Sequence, residues 1–287
     1  MEIRRVGVVG IGQMGAGIVE VCARAGYEVI AREVNETLLA TGLGRINASL
    51  DRAVARGRLT DEVRRDTEAR IHGTTVLADL ADVDLVIEAV PEQKALKAEI
   101  FAALDAACAP QALLATNTSS LSVTALAAAT QRQDRVLGLH FFNPAPVMPL
   151  VEIVQTLMTS AETISTARAF VASLGKTAVL SPDAPGFIVN RLLIPYLLDA
   201  ARLLQDGIAS REDIDAAVKL GLNHPMGPLA LMDLIGLDTC LAIAESMYDE
   251  YREARFAPPP LLRRMVLAGR LGRKVGHGFY DYPDGSA

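Results

Sequence analysis

The sequence predicts an α/β protein in which a Rossmann-type, doubly wound, mostly parallel sheet is followed by a second, smaller all-helical domain. Three observations predict it. Short, near-continuous apolar runs alternate with longer helical stretches as far as Leu180; the first run ends in a glycine-rich turn; and beyond Pro185 only helical periodicity remains. Runs that are apolar throughout belong to strands covered on both faces, and their alternation with helices is the pattern of βαβ units.

Val6 to Val9, Glu28 to Ala31, Leu85 to Ala89, Leu113 to Ala115 and Val136 to Leu139 read as the strands of this sheet, with Leu150 to Val154 and Thr177 to Leu180 as further sheet edges. From Pro185 onward an apolar stripe through Phe187, Leu192, Tyr196 and Leu203 opens a series of helical segments separated by Gly207, Gly221, Gly227 and Gly236. The boundary is expected within Ser181-Pro182-Asp183-Ala184-Pro185-Gly186, where two prolines and a glycine stop any continuing element, which gives domains 1–184 and 185–287.

With 51% apolar and 22% charged residues, the 287-residue chain has the composition of a folded globular protein with a substantial core. A net charge of −6 speaks against a general nucleic-acid binder while leaving room for a local basic patch. The start of the chain shows no apolar export signal, and the apolar run from Leu192 to Leu198 is interrupted by Pro195 and bounded by Arg191 and Asp199. A cytoplasmic protein with no membrane partner is expected. Cys22, Cys108 and Cys240 are far apart and lack metal-ligand spacing, so they read as free thiols in the core, and no metal site is expected.

The turn after the first strand is Gly10-Ile11-Gly12-Gln13-Met14-Gly15, of the form G-x-G-x-x-G. Gly10 permits the tight turn, Gly12 lets the backbone approach a pyrophosphate, and Gly15 lets the helix pack on the strand, with the helix N-terminus facing the phosphates. Glu33, at the end of the second strand, lies 23 residues beyond Gly10, where an acidic residue grips ribose hydroxyls and repels a 2′-phosphate. NAD is therefore the expected cofactor, with Arg32 beside Glu33 as the feature that speaks for NADP.

Asn117-Thr118-Ser119-Ser120 follows the strand ending near Thr116, at a strand's carboxyl end, where ligands sit in open parallel sheets. The segment reads equally as the cap of a helix starting near Ser122. His140 lies just after the strand Val136 to Leu139, suited by its titration range to take a hydroxyl proton while hydride leaves carbon, although a histidine there is often merely structural. Glu152, an acid within the apolar run Leu150 to Val154, needs a partner and is placed to hold the other ring nitrogen of His140. Asn190, on the first long helix of the second domain, reads either as an amide facing a substrate cleft or as a polar interface residue.

Arg45, Arg52, Arg56 and Arg58 stand against the single acid Asp51. Ser49, Arg52 and Arg56 fall at i, i+3 and i+7, one helix face that offers a hydroxyl and two guanidinium groups to phosphates or, more simply, to water. Lys94 and Lys97, after Pro91-Glu92, also lie near a strand's carboxyl end.

These residues resemble the 3-hydroxyacyl-CoA dehydrogenase family, especially its bacterial short-chain members, over essentially the whole chain. The resemblance rests on Gly10 to Gly15 followed by Gly17, on Glu88 to Glu92, Asn117 to Leu121, His140 to Pro144 and Asp183 to Arg191, on Gly221 to Asp238 with His224-Pro225-Met226-Gly227-Pro228, and on Gly272 to Gly278-Phe279-Tyr280. It implies His140 and Glu152 as the catalytic pair and Ser119 and Asn190 as residues holding the substrate. It implies cofactor contacts for Glu33, Glu92, Lys97, Asn117, Asn143 and Lys274, to which the glycine-rich turn adds Gln13 and Met14, CoA contacts for Ser49 and Arg56, to which the helix spacing adds Arg52, and a homodimer through the helical domain. Glu33 stands where aspartate is usual, Arg56 where lysine is usual and Val275 where threonine is usual. The implied reaction is hydride transfer between NAD(H) and an L-3-hydroxyacyl-CoA. The alternatives are a dehydrogenase of a free sugar acid such as L-gulonate on the same scaffold, which the basic patch disfavours, and a dinucleotide-binding protein without catalysis.

Overall fold

The computed structural model describes residues 2–282; Met1 and 283–287, the outer ends of the two domain spans, lie outside the described residues. The chain divides into two compact units, Met1–Ala184 and Pro185–Ala287.

The first unit is built on one eight-stranded sheet in the order β3-β2-β1-β4-β5-β6-β7-β8. Its strands are β1 (Arg5–Val9), β2 (Glu28–Arg32), β3 (Ile71–Thr74), β4 (Leu85–Glu88), β5 (Leu113–Thr116), β6 (Val136–Phe141), β7 (Leu150–Gln155) and β8 (Thr177–Pro182). All neighbours are parallel except β6 and β7, which run antiparallel. The order reverses between β1 and β4, so the loops leaving those two strands diverge and open a crevice at their carboxyl ends. Val6, Val8, Leu85, Ile87, Leu113, Ala115, Leu137 and Leu139 fill the interior, the near-continuous burial that the apolar runs forecast.

Helices α1 (Gln13–Arg24), α2 (Glu36–Ala55), α3 (Asp61–Ala69), α4 (Lys94–Ala107), α5 (Val123–Ala127) and α6 (Ala161–Ser173) connect the strands. Side chains at their N-termini satisfy backbone donors that the helices leave open. Asn35 accepts from the Leu38 amide (2.9 Å), Thr60 from Val63 (3.3 Å) and Ser160 from Thr163 (3.2 Å).

Three points of the sequence reading of the sheet need correction. The strand β3 was not foreseen, because Ile-His-Gly-Thr offers one large apolar residue in four, and the segment is held by pairing with β2 rather than by burial. The run Leu150 to Val154 is not an edge but an inner strand flanked by β6 and β8, leaving β8 at the border. His140 sits within β6, since pairing with β7 carries the ladder two residues beyond Leu139.

The second unit comprises α7 (Val189–Gln205), α8 (Arg211–Gly221), α9 (Pro228–Ile235), α10 (Leu237–Tyr251) and α11 (Pro260–Leu267), with isolated bridges near Gly272, His277 and Asp281. The expected stripe on α7 is in the wrong phase. Asn190, Ile194, Leu197, Leu198 and Ala201 are buried, whereas Leu192 is 73% and Leu203 44% exposed. Phe187, the residue that anchored the expected stripe, precedes the helix in a left-handed conformation (φ 46°) and so does not share its phase. Two buried carboxylates tie this unit together. Asp215 accepts from the Leu229 and Ala230 amides and the Tyr280 hydroxyl, and Asp233 accepts from the Phe279 and Tyr280 amides and the Tyr282 hydroxyl.

The three cysteines are buried, and burial pushes Cys22 and Cys240 up to about 12 and Cys108 up to about 11. Among the described residues no helix is long and apolar enough to cross a membrane.

Candidate active site

The glycine turn after β1 has the geometry its sequence requires. Gly10 is left-handed (φ 84°), and a Cβ on Gly15 would lie 1.8 Å from the Gly10 carbonyl oxygen, so a side chain there would drive α1 away from the turn. A Cβ on Gly12, by contrast, would meet no protein atom within 4 Å; packing does not require glycine there, and the close approach of a ligand to the backbone remains its reason. Glu33 is tied to this turn. Its Oε1 accepts from the Ile11 amide (2.8 Å) and its Oε2 from the Val34 amide (3.0 Å), which orients the carboxylate at the end of β2. The dinucleotide cradle and its ribose acid are thus joined in one hydrogen-bonded unit, and the donor set fits NAD. Met14 packs partly buried against the core, and the exposed Gln13 donates to the Asn143 Oδ1 (3.4 Å), linking the start of α1 to the loop after β6.

His140 and Glu152 face one another across the antiparallel pair β6 and β7. Nδ1 of His140 lies 2.6 Å from Glu152 Oε2, with the imidazole 8% exposed and the carboxylate fully buried. A carboxylate on Nδ1 fixes the ring and its tautomer, so that Nε2 presents the lone pair that takes a proton. The Phe142 ring packs against the imidazole, 4.5 Å between centroids at 50°. Because β6 is parallel to β5 and β4, His140 near its end lies at the same sheet border as the turn after β1.

Asn117, directly after β5, spends its Oδ1 on the Phe141 amide (2.9 Å), so it braces the end of the histidine's strand. The Ser119 amide donates to Glu92 Oε1 (3.1 Å), and among the described residues nothing bonds the Ser119 hydroxyl. Of the two readings of this segment, the cap falls to Ser122, whose hydroxyl accepts from the Ala125 amide (3.2 Å). Asp183 reinforces that cap, accepting from Ser122 Oγ and from the amides of Val123 and Thr124.

Lys97 is drawn into the interior at the end of β4. It is 1% exposed, and its Nζ donates to Glu88 Oε1 (2.7 Å) and lies 3.3 Å from Glu92 Oε2. In the second unit, Asn190 is buried in the first turn of α7, and the Lys274 ammonium lies 2.6 Å from each oxygen of Asp238.

Ser49, Arg52 and Arg56 run along the end of α2, with Arg56 as its C-cap. Asp51 is engaged by Arg64 (2.7 Å), and among the described residues no carboxylate lies within 4 Å of Arg45, Arg52, Arg56 or Arg58. The sole acid of the patch is therefore neutralised from outside it, leaving the four guanidinium charges uncompensated. Gly42, on the same helix, packs so closely on Ile11 that a Cβ would lie 2.4 Å from it. From there to Ser49 and Arg56 the helix axis rises by about 10 to 20 Å, so a ligand spanning from turn to patch is long.

Sequence reasoning gave no role to Glu88, Thr116, Thr118, Lys176 or Asp183. Lys176 donates to the carbonyls of Ala145 (2.7 Å) and Met148 (2.6 Å) and so pins the loop that carries Asn143. The signal for Glu88 was present, a charge at the end of the apolar run Leu85 to Ile87.

A base held by a buried carboxylate, bordering a turn built for a dinucleotide, is the equipment of a dehydrogenase. Residues 5–184 match the family model described as 3-hydroxyacyl-CoA dehydrogenase, NAD binding domain, and residues 186–282 match that of the C-terminal domain. The chain belongs to the 3-hydroxyacyl-CoA dehydrogenase family. It is 54% identical over 282 residues to 3-hydroxybutyryl-CoA dehydrogenase of Mycobacterium tuberculosis, covering 98% of this chain and 99% of that protein. It is 46% identical over 280 residues to the Bradyrhizobium diazoefficiens protein of the same name, covering 98% and 96%. Among solved structures, (S)-3-hydroxybutyryl-CoA dehydrogenase PaaH1 from Ralstonia eutropha superposes with a TM-score of 0.95 at 44% identity, covering 99% of this chain and 100% of that one.

Proposed function

We propose that the protein interconverts a short-chain L-3-hydroxyacyl-CoA, 3-hydroxybutyryl-CoA in the first place, and its 3-ketoacyl-CoA with NAD(H). The observation that carries this reading is the buried His140–Glu152 pair, 2.6 Å apart at the sheet border that holds the glycine turn; the acyl-CoA follows from the names of the relatives. NAD would be held by Gly10, Gly12, Gln13, Met14, Gly15, Glu33, Asn117 and Asn143, with Glu92, Lys97 and Lys274 assigned to it on the family resemblance. The nicotinamide supplies or accepts the hydride. The chain supplies the proton chemistry: His140 Nε2 takes the 3-hydroxyl proton, and Glu152 stabilises the imidazolium that forms. In reduction the same nitrogen protonates the developing alkoxide, with Ser119 and Asn190 as the residues that orient the carbonyl.

The test is the loss of NADH absorbance with acetoacetyl-CoA, run beside NADPH, free acetoacetate and an oxidised sugar acid. Turnover that needs both NADH and the CoA thioester supports the reading; turnover with a free acid alone overturns it.

Ser49, Arg52 and Arg56 are assigned to the CoA phosphates, on the strength of the uncompensated charge of this patch. Replacing Arg52 and Arg56 together by Gln is expected to raise KM for acetoacetyl-CoA about tenfold or more, with kcat nearly unchanged, because the contact is the same in ground and transition states. An unchanged KM would remove these arginines from the site.

A homodimer through the second unit is proposed from the family resemblance, supported by the exposed Leu192, Ile208, Leu220 and Leu222 on α7 and α8 and the turns beside them. Light scattering should give twice the chain mass. A cytoplasmic setting is proposed on the three buried free thiols.

A further inference from the structure

The carboxylate of Glu88 ends β4 in complete burial, and every polar group around it is committed. Its Oε2 accepts from the Thr116 hydroxyl (2.7 Å), while its Oε1 accepts from the Val90 amide (2.7 Å) and from Lys97 Nζ (2.7 Å). The ammonium, itself 1% exposed, also donates to the Val90 carbonyl (3.3 Å) and reaches Glu92 Oε2 at 3.3 Å. Glu92 carries the connection outward. Its other oxygen accepts from the Thr118 hydroxyl, the Ser119 amide (3.1 Å) and the Ser120 hydroxyl (3.4 Å). A continuous series of charged hydrogen bonds, bridged by the Lys97–Glu92 ion pair, thus runs from the end of β4 to the serine segment after β5.

A buried ion pair is a poor source of stability, since desolvation offsets most of the attraction and an apolar replacement of the pair is often neutral. Its value here lies in direction. The half-exposed Glu92 side chain has rotamer freedom to lose, and a buried cation fixed on one of its oxygens holds the other against the Ser119 segment. We propose that Glu88 is a positioning residue: by fixing the Lys97 ammonium it orients Glu92 and thereby sets the place of Ser119, acting on the substrate only through these three residues. This role depends on the functional reading only in so far as Ser119 meets the substrate.

The test uses the double variant Glu88→Gln with Lys97→Met in the full chain. The introduced glutamine still accepts from the Val90 amide and donates to Thr116 Oγ1, and the methionine fills the space of the lysine stem, so the fold keeps its polar contacts there without the charge. Three quantities are read: the melting temperature, amide hydrogen exchange at Ser119 to Leu121 in the free protein, and kcat/KM for acetoacetyl-CoA. Near-native melting, exchange at those amides faster by about tenfold, and kcat/KM lower by about tenfold or more support the proposal. Native exchange and native kcat/KM with the ion pair removed overturn it and leave the pair a structural feature. If the double variant does not fold, Glu92→Gln cuts the link to Lys97 at a half-exposed position, and unchanged exchange at Ser119 in that variant likewise overturns the proposal. Absence of turnover in the wild-type enzyme would defeat the functional reading, while the exchange measurement would still decide the role of Glu88.

Discussion

Replacing His140 by Gln is expected to lower kcat by about a thousandfold while the affinity for NADH changes by no more than about twofold. The size follows from what is removed. A positioned acid–base group contributes on the order of 10² to 10⁴ in rate, and the histidine is the sole imidazole in the first unit besides His72, which is paired with Glu28 at the exposed β3 edge. Gln is chosen because its amide donates to Glu152 and so satisfies the buried carboxylate, which keeps loss of structure from imitating loss of catalysis. Stopped-flow turnover and NADH fluorescence titration on the same preparation check both halves. Wild-type turnover would end the proposed mechanism; a parallel collapse of NADH binding would show damage to the cradle instead.

The second large effect is expected at Glu152. The Gln variant offers His140 Nδ1 either an oxygen or an amide nitrogen, and in the second orientation the ring holds its lone pair on the wrong side, with no negative charge to stabilise the imidazolium. We expect kcat to fall about a hundredfold or more. Because the two residues act as one unit, the double variant His140→Gln with Glu152→Gln should be scarcely slower than His140→Gln alone. Multiplicative losses would mean that Glu152 acts on something other than His140.

The two side chains were legible in the sequence for different reasons: His140 stands at a strand's carboxyl end, and Glu152 is a charge set in an apolar strand and must have a partner. In the run Leu150 to Val154 this need paired Glu152 with His140 from the sequence alone. Glu88 at the end of Leu85 to Ile87 has the same need, yet its partners Lys97 and Thr116 come from a helix and from a neighbouring strand, and only sheet order brings them together. The glycine turn was readable because Gly10 and Gly15 answer local steric needs, while Gly12 leaves the backbone open to a ligand. The α7 face was misread because a left-handed residue at Phe187 breaks the helical phase, and one sequence does not display the sign of φ. The edge strand β3 was missed because it is held by backbone pairing, to which side-chain patterning is blind. The neutralisation of Asp51 by Arg64, which leaves the basic patch uncompensated, was equally hidden, since Arg64 comes from the next helix.

The antiparallel pairing of β6 with β7 has a bearing on how this enzyme could change over time. His140 and Glu152 are opposed by strand register, and a slip of one residue would turn the carboxylate to the far face of the sheet, whereas the side chains of the loop between them stand outside that ladder, with the loop backbone pinned by Lys176. Proton transfer and the shape of the neighbouring loop are therefore carried by separable pieces of chain. Substitutions at the exposed Val147 and Met148 leave the strand register, and with it the opposition of His140 and Glu152, in place, so the surface of this loop is free to vary in a way that the two strands are not.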